Sequence, residues 1–376
     1  MGESNISKPA VASGGPGVAM IICLWSLRLL GVALIGVSLL SAIESSQWWV
    51  RIWDFPRLQI FVASLFTAVL IAFLDKRWRL WFVTALVVAG GWQLYRIYPY
   101  TKLVRQEVVF SESIDIPKAD CFSVLSLNVL QTNRDYARTL AMVRSIDPDI
   151  LLLLETDKAW QQAMEPVLSG YASRLDRPLD NTYGLLFVTR LPMSDSRIED
   201  IAEAETPSVS AELVAGSRFR LIGLHPRPPH PGQDTEERDA EIAIAARRAG
   251  ETSLPVLAIG DFNDVAWSDT SQLFKRIGGY LDPRIGRGTF ATFPASYPWL
   301  AWPLDHVYIT PEFVVRSMRV LADVGSDHRP IFTELCLSPR KARANNAAPD
   351  KATEDDREET EEVMDEYRQD KAAENR

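Results

Sequence analysis

Nine polar side chains stand inside or at the ends of short apolar runs: Asn128, Glu155, His225, Asp261, Asn263, Asp305, His306, Asp327 and His328. Carboxylate oxygens suit a hard divalent cation, Mg²⁺ or Mn²⁺, which takes one or two protein carboxylates and leaves room for water and a phosphate. A carboxylate or imidazole beside such a cation can align and deprotonate water for in-line attack, and further donors can hold the non-bridging oxygens. The sequence has no serine or cysteine nucleophile elbow and no glycine-rich phosphate loop, so direct attack by water is the chemistry expected. Taken singly, Asn128, Asp261 and Asn263 are also ordinary turn residues, and Glu155 could merely follow its strand at the surface. Histidine tips the balance. The chain has only four, His225, His230, His306 and His328, and all lie in or beside these stretches.

Strand ends of a rigid sheet must position such a set. "FSVLSLNV" and "DILLLLE" read as strands separated by "RDYARTLAMVRSID", whose Leu140, Val143 and Ile146 recur at helical spacing. "YGLLFVTRLPM" follows, then "SAELVA" and "RFRLIGLH", joined at Gly216 and Ser217 as a hairpin. A second helix starts at Asp234 or Thr235, carries Glu236 and Glu237 early and Arg247 and Arg248 late, and stops at Gly250. "LPVLAIGDF", "GTFATF", "LDHVYIT", "VRSMRVLAD" and "PIFTELCL" complete the strands. Many short strands with few helices point to two packed sheets flanked by helices, an α+β rather than a doubly wound class. With a period of two, Asp261 and Asn263 share a face while Phe262 packs behind them, and His306 points away from Asp305, a structural position.

Six blocks in order, "SLNV", "LLLLETD", "GLHPRP", "IGDFND", "PLDHV" and "GSDHRPI", resemble the endonuclease/exonuclease/phosphatase superfamily over residues of about 120 to 338. The resemblance implies a four-layer α/β/β/α sandwich, as in DNase I, with the site at the sheet rims. It implies Glu155 as principal metal ligand, with Asn128 and Asp327 close to the metal or its waters. Asp261 would position or deprotonate water, Asn263 would orient it, and His225 would stabilise phosphate. His328 would contact the scissile phosphate or act as the base, held by Asp305; the choice of base between Asp261 and His328 stays open. Arg227, Arg284 and Arg287 are further candidates for phosphate contact.

Three apolar stretches, at 18–43, 58–74 and 80–95, are long enough for a bilayer that needs roughly 20 residues per helix. Arg28 is a costly charge inside the first, and six tryptophans fall near span ends. The short "DKRWR" connection is expected to be cytoplasmic, which puts the rest of the chain outside, although Arg51, Arg57, Arg96, Lys102 and Arg105 dilute that bias. The expected organisation is a membrane domain at 1–117, a catalytic domain at 118–340 and an acidic tail at 341–376. The tail holds 7 basic and 12 acidic residues and is expected to be disordered. Three spans ahead of this domain, with "GDFNDVAWS" and "WPLDH", are similar to a membrane-bound bacterial branch that includes teicoplanin-resistance proteins. That likeness suggests a membrane-associated phosphate ester as substrate, such as a lipid-linked diphosphate. The domain's 23 basic and 30 acidic side chains have the wrong sign for gripping nucleic acid, which leaves a nuclease as an alternative. A catalytically idle membrane scaffold is another, and no protein partner is inferable. Cys121 and Cys336 are expected as buried free thiols, a bridge requiring neighbouring strands; no zinc-type spacing exists.

Overall fold

The computed structural model describes residues 17–111, 114–228 and 231–374, so His230 lies outside the described residues. The chain divides into two compact units. One takes residues up to Ile43 together with Arg57–Leu94; the other takes Glu44–Pro56 and Tyr95 onward.

The first unit is built on α1 (Val18–Leu40), α3 (Arg57–Leu74) and most of α4 (Arg79–Ile97), while the short α2 (Trp48–Arg51) belongs to the second unit. These three helices are long and apolar enough to cross a membrane. Arg28 does not stand alone there, because its Nε lies 2.7 Å from Asp75 Oδ2. Arg57 donates to Gln93 Oε1 at 3.1 Å and to the Ser41 carbonyl at 3.1 Å, which satisfies polar groups that an apolar setting would penalise.

The second unit carries β1 (Cys121–Asn128), α5 (Tyr136–Ile146), β2 (Ile150–Leu154), α6 (Lys158–Leu168), β3 (Ser173–Arg177), β4 (Leu185–Thr189), β5 (Met193–Asp200), β6 (Pro207–Ala215) and β7 (Ser217–Leu224). It continues with α7 (Glu236–Glu251), β8 (Val256–Asp261), α8 (Asp269–Ile277), β9 (Asp305–Ile309), β10 (Phe313–Val320), β11 (Ile331–Leu337), α9 (Pro339–Asn345) and α10 (Glu354–Glu374). One sheet has the order β10-β11-β1-β2-β4-β3, the other β5-β6-β7-β8-β9.

Period-two alternation explains the layers. In β2, Leu152 and Leu154 enter the core between the sheets, while Leu151 and Leu153 meet Val143 of α5 and Trp160 of α6 on the outer face. In β8, Leu257 and Ile259 face the inter-sheet core, and Val256 and Ala258 pack with Ile242 of α7 and Phe274 of α8. Each such leucine is worth about 1.5–3 kcal/mol of burial. The result is the helix, sheet, sheet, helix stack.

Three expectations fail locally. "GTFATF" is not a strand: Gly288 and Phe290 take positive φ, 148° and 49°, so the segment turns into a loop closed by a single bridge from Phe293 to Trp302. Over its described residues the acidic tail is not a disordered segment, since α10 packs on α7 and α8 with Arg276 Nη2 2.6 Å from Asp356 Oδ1 and Arg247 Nη1 3.0 Å from Glu361 Oε1. Its start is fixed reciprocally, Thr353 N donating to Asp356 Oδ2 and Asp356 N to Thr353 Oγ1. Cys121 and Cys336 are not free thiols. They are register partners on antiparallel β1 and β11 and form a disulfide.

Candidate active site

The two sheets bring their catalytically competent ends to one rim. β1 and β2 run parallel, as do β7 and β8, so Asn128, Glu155, His225 and Asp261 all fall at or just beyond the carboxyl ends of their strands. β9 and β11 run antiparallel to β8 and β1, so Asp305 at the start of β9 and Asp327 and His328 just ahead of β11 arrive at the same rim. Gly260 has φ 136°, and a Cβ there would lie 2.0 Å from the Leu224 carbonyl oxygen. Only glycine lets β8 approach β7 this closely, which sets Asp261 beside His225.

Asp261 is the hub. Its side chain is fully buried. Oδ2 accepts from Asn128 Nδ2 at 3.0 Å and faces His328 Nε2 at 3.5 Å and His225 Nε2 at 3.8 Å, while Oδ1 accepts the Asn263 amide at 3.0 Å. The Asn128 carboxamide crosses between the sheets, for the same Nδ2 donates to Glu155 Oε1 at 2.8 Å. Asn128 Oδ1 accepts the Leu130 amide at 3.0 Å, so Asn128 clamps two carboxylates through Nδ2 while its oxygen keeps a second lone pair. Glu155 Oε2 accepts the Gln131 amide at 3.1 Å.

Burial first, then the nearby Asp261 and Asp327 carboxylates, raise the Glu155 carboxyl above its usual range despite the Asn128 hydrogen bond. Burial holds His225 down to about 4, so it is neutral at pH 7. For His328, burial alone would lower the imidazole, but Asp261 and Asp305 outweigh it and lift it to about 10. Asp305 Oδ2 lies 2.8 Å from His328 Nδ1. Glu155 takes φ 59° and Leu130 φ 57°, left-handed conformations that cost an ordinary residue roughly 1–2 kcal/mol.

Asn263 reaches the rim by another route than the pleat. β8 ends at Asp261, and Asn263 turns left-handed at φ 48° with Nδ2 donating to the Pro226 carbonyl at 3.0 Å. Phe262 does pack in the outer core, as the alternation requires. His306 lies on the far side of β9, Nε2 2.9 Å from the Asp264 carbonyl oxygen.

Two of the three arginines leave the set. Arg284 is fully buried and forks onto Asp282, Nε at 2.8 Å and Nη2 at 2.9 Å, with Nη2 also 2.9 Å from His306 Nδ1. Arg287 spans Gln106 Oε1 at 2.8 Å and covers the Phe110 ring at 3.6 Å. Arg227 remains beside the rim, 3.6 Å from Glu203 and near Tyr183, whose ring lies 5.4 Å from that of His225. The sequence reading missed Tyr183. It also missed Ser326, whose hydroxyl donates to the Asn128 carbonyl at 2.7 Å and accepts the His328 amide at 3.0 Å, and Phe293, 4.8 Å from the His328 ring. Ser326 and its neighbours lie within "GSDHRPI", so a serine two residues before a candidate histidine was the available signal.

The donor set fits a divalent cation. Asp261, Asp305 and His328 offer ligand atoms within 4.8 Å of one another, but both His328 nitrogens face carboxylates, which marks an ion-pair cluster. Glu155 and Asp327 are different. Among the described residues neither has a cationic partner within 4.0 Å, and their hard oxygens suit a dication that would offset the crowded charge.

Residues 125–328 match the Endonuclease/Exonuclease/phosphatase family, and the chain belongs to it. Its members are phosphoester hydrolases that depend on a divalent metal, and this chain is an enzyme of that class. No curated protein sequence matches the chain. Among solved structures, humanized D. rerio TDP2 is similar at 17% identity, over 57% of this chain and 99% of that one, with a TM-score of 0.47. The mannosyl-6-phosphatase of Bacteroides thetaiotaomicron is similar at 18% identity, over 57% and 100%, at 0.48. The human Nocturnin catalytic domain is similar at 18%, over 60% and 96%, at 0.48.

Proposed function

We propose that the protein is a membrane-anchored phosphoester hydrolase that uses direct attack by water on a membrane-associated phosphate, in the branch resembling teicoplanin-resistance proteins. The observation that carries this is the Asp261 hub, one buried carboxylate held by Asn128 from the opposite sheet and faced by two histidines in opposite protonation states. Glu155 and Asp327, with Asn128 beside them, would hold the cation, Mg²⁺ or Mn²⁺, which would supply polarisation of a phosphoryl oxygen and offset developing charge. Asp261 aligns water and takes its proton. With its imidazole lifted to about 10, His328 enters the reaction as a cation and stabilises phosphate charge, so Asp261 is the better base of the two. Asp305 holds the His328 ring in place. Neutral His225, together with Asn263, orients a non-bridging oxygen, and Arg227 adds charge at the edge.

Three bilayer-length helices support the anchor. The Cys121–Cys336 disulfide favours an oxidising compartment and agrees with the cytoplasmic reading of "DKRWR", so the catalytic unit faces outward. The test is hydrolysis by purified full-length protein of an aryl phosphodiester, a polyprenyl diphosphate and DNA, with and without Mg²⁺. Asp261→Ala and His328→Ala should each lose about a hundredfold or more in kcat/KM. Activity that survives chelation, or that both variants retain, overturns the reading; salt-sensitive cleavage of DNA in preference to the lipid redirects it to a nuclease.

A further inference from the structure

From Gly288 to Leu304 the chain runs seventeen residues without a charge, and this segment forms a loop whose base is fastened to the candidate site. Thr292 N and Phe293 N donate to the Trp302 carbonyl at 3.0 and 3.1 Å, closing the loop. Ala295 N donates to the Asp327 carbonyl at 2.7 Å, and the Phe293 ring lies against His328. The base is therefore built into the wall of the site. The tip is the reverse: Tyr297, Trp299 and Leu300 are 53%, 72% and 40% exposed, and the Tyr297 and Trp299 rings meet edge-on at 5.6 Å. Pro294, Pro298 and Pro303 stiffen the segment, so the apolar tip is held out in water and does not fold back.

Single exposed apolar residues need no explanation, but a charge-free loop that presents Tyr, Trp and Leu together is different. Tyr and Trp pair an apolar ring with a polar handle and favour the headgroup level of a bilayer. Chain connectivity supplies the second observation. Trp302 meets Phe55 edge-on at 5.7 Å, and Phe55 stands two residues before Arg57, the first residue of α3. The base of the loop therefore touches a residue that chain connectivity alone keeps next to a bilayer-length helix.

We propose that the Tyr297–Leu300 tip seats in the lipid headgroup region and holds the His328 side of the active site against the bilayer, so that the enzyme selects phosphoesters presented at a membrane surface. This rests on the membrane-anchored hydrolase reading above. The occupant is lipid, not a protein or a second copy.

The test uses full-length protein with Cys23→Ser, Cys121 and Cys336 remaining bonded, reconstituted in phosphatidylcholine vesicles. A polarity-sensitive fluorophore on Trp299→Cys should shift to the blue and be quenched by brominated acyl chains, whereas one on Asp195→Cys, on edge strand β5, should do neither. The triple variant Tyr297→Ser, Trp299→Ser, Leu300→Ser should lose about tenfold or more on a vesicle-embedded phosphoester and stay within about twofold on a soluble aryl phosphodiester. A solvent-like label at 299 in vesicles overturns the proposal, as does equal loss on both substrates or a shift that follows protein density and not lipid bromination. Wild-type protein inert on the aryl substrate would sink the hydrolase reading, and extraction from membranes by alkaline carbonate would sink the anchor. Both failures are separable from failure of the loop.

Discussion

His225 and His328 face the same carboxylate oxygen and yet differ in charge at neutral pH, the first neutral and the second cationic. Burial decides the first and two aspartates decide the second. If Asp305 secures both the charge and the orientation of His328, then Asp305→Asn, which keeps an acceptor but removes the charge, should lower kcat by about a hundredfold with KM nearly unchanged. Steady-state kinetics check this, and an equal rise in KM would mean that Asp305 only shapes the pocket. At this scale the sequence was informative wherever polarity contrasted with an apolar strand, which is how Glu155, Asp261 and Asp305 were visible. It was uninformative about Arg284, because nothing in the pattern reveals that Asp282, two residues earlier, captures it in the core. Nor could alternation place Asn263, whose left-handed backbone depends on a hydrogen bond to Asp261.

Among the elements, α10 is the one that composition hid. A segment so poor in large apolar residues cannot build a core, and on that ground it reads as disordered. Its order comes instead from where arginines of the catalytic body happen to face it. Exposed pairs of this kind yield only about 0.2–1 kcal/mol each. Asp356 is the exception, buried beside Arg276 and lowered to about 2: burial opposes the shift, but the Arg276 and Thr353 hydrogen bonds outweigh it. Near its other end Lys371 Nζ lies 3.0 Å from Glu203 Oε2, and Glu203 in turn meets Arg227. Truncation after Asn346 should therefore leave the sheets folded and raise KM about threefold or more, with kcat nearly constant, through a loosened Arg227. Circular dichroism and kinetics on the truncated chain would show it; an unchanged KM would make α10 a passenger. The helices α6 and α8 went unread for a related reason. Their starts are set by Asp157 and Ser268, whose caps accept the Trp160 and Ser271 amides, short signals easily lost among turn residues.

Over the whole molecule, the alternation of strand and helix carried the architecture, while long-range pairing stayed hidden. Cys121 and Cys336 are 215 residues apart, and only the return of the last strand beside the first shows that they can bond. Cys336→Ser should cost about 2–5 kcal/mol of unfolding free energy in the catalytic unit, measured by denaturant titration against the oxidised parent. A reduced parent should match the variant; if it matches the oxidised protein instead, the bridge contributes nothing to stability. The same pairing of β1 with β11 has a topological meaning. The bridge ties the first and last strands of the sheet in chain order, so segments far apart along the polypeptide meet at one fastened seam. That seam works as a clasp: it fastens strands laid down 215 residues apart, and the α9–α10 segment runs on from it to lie back over the catalytic body.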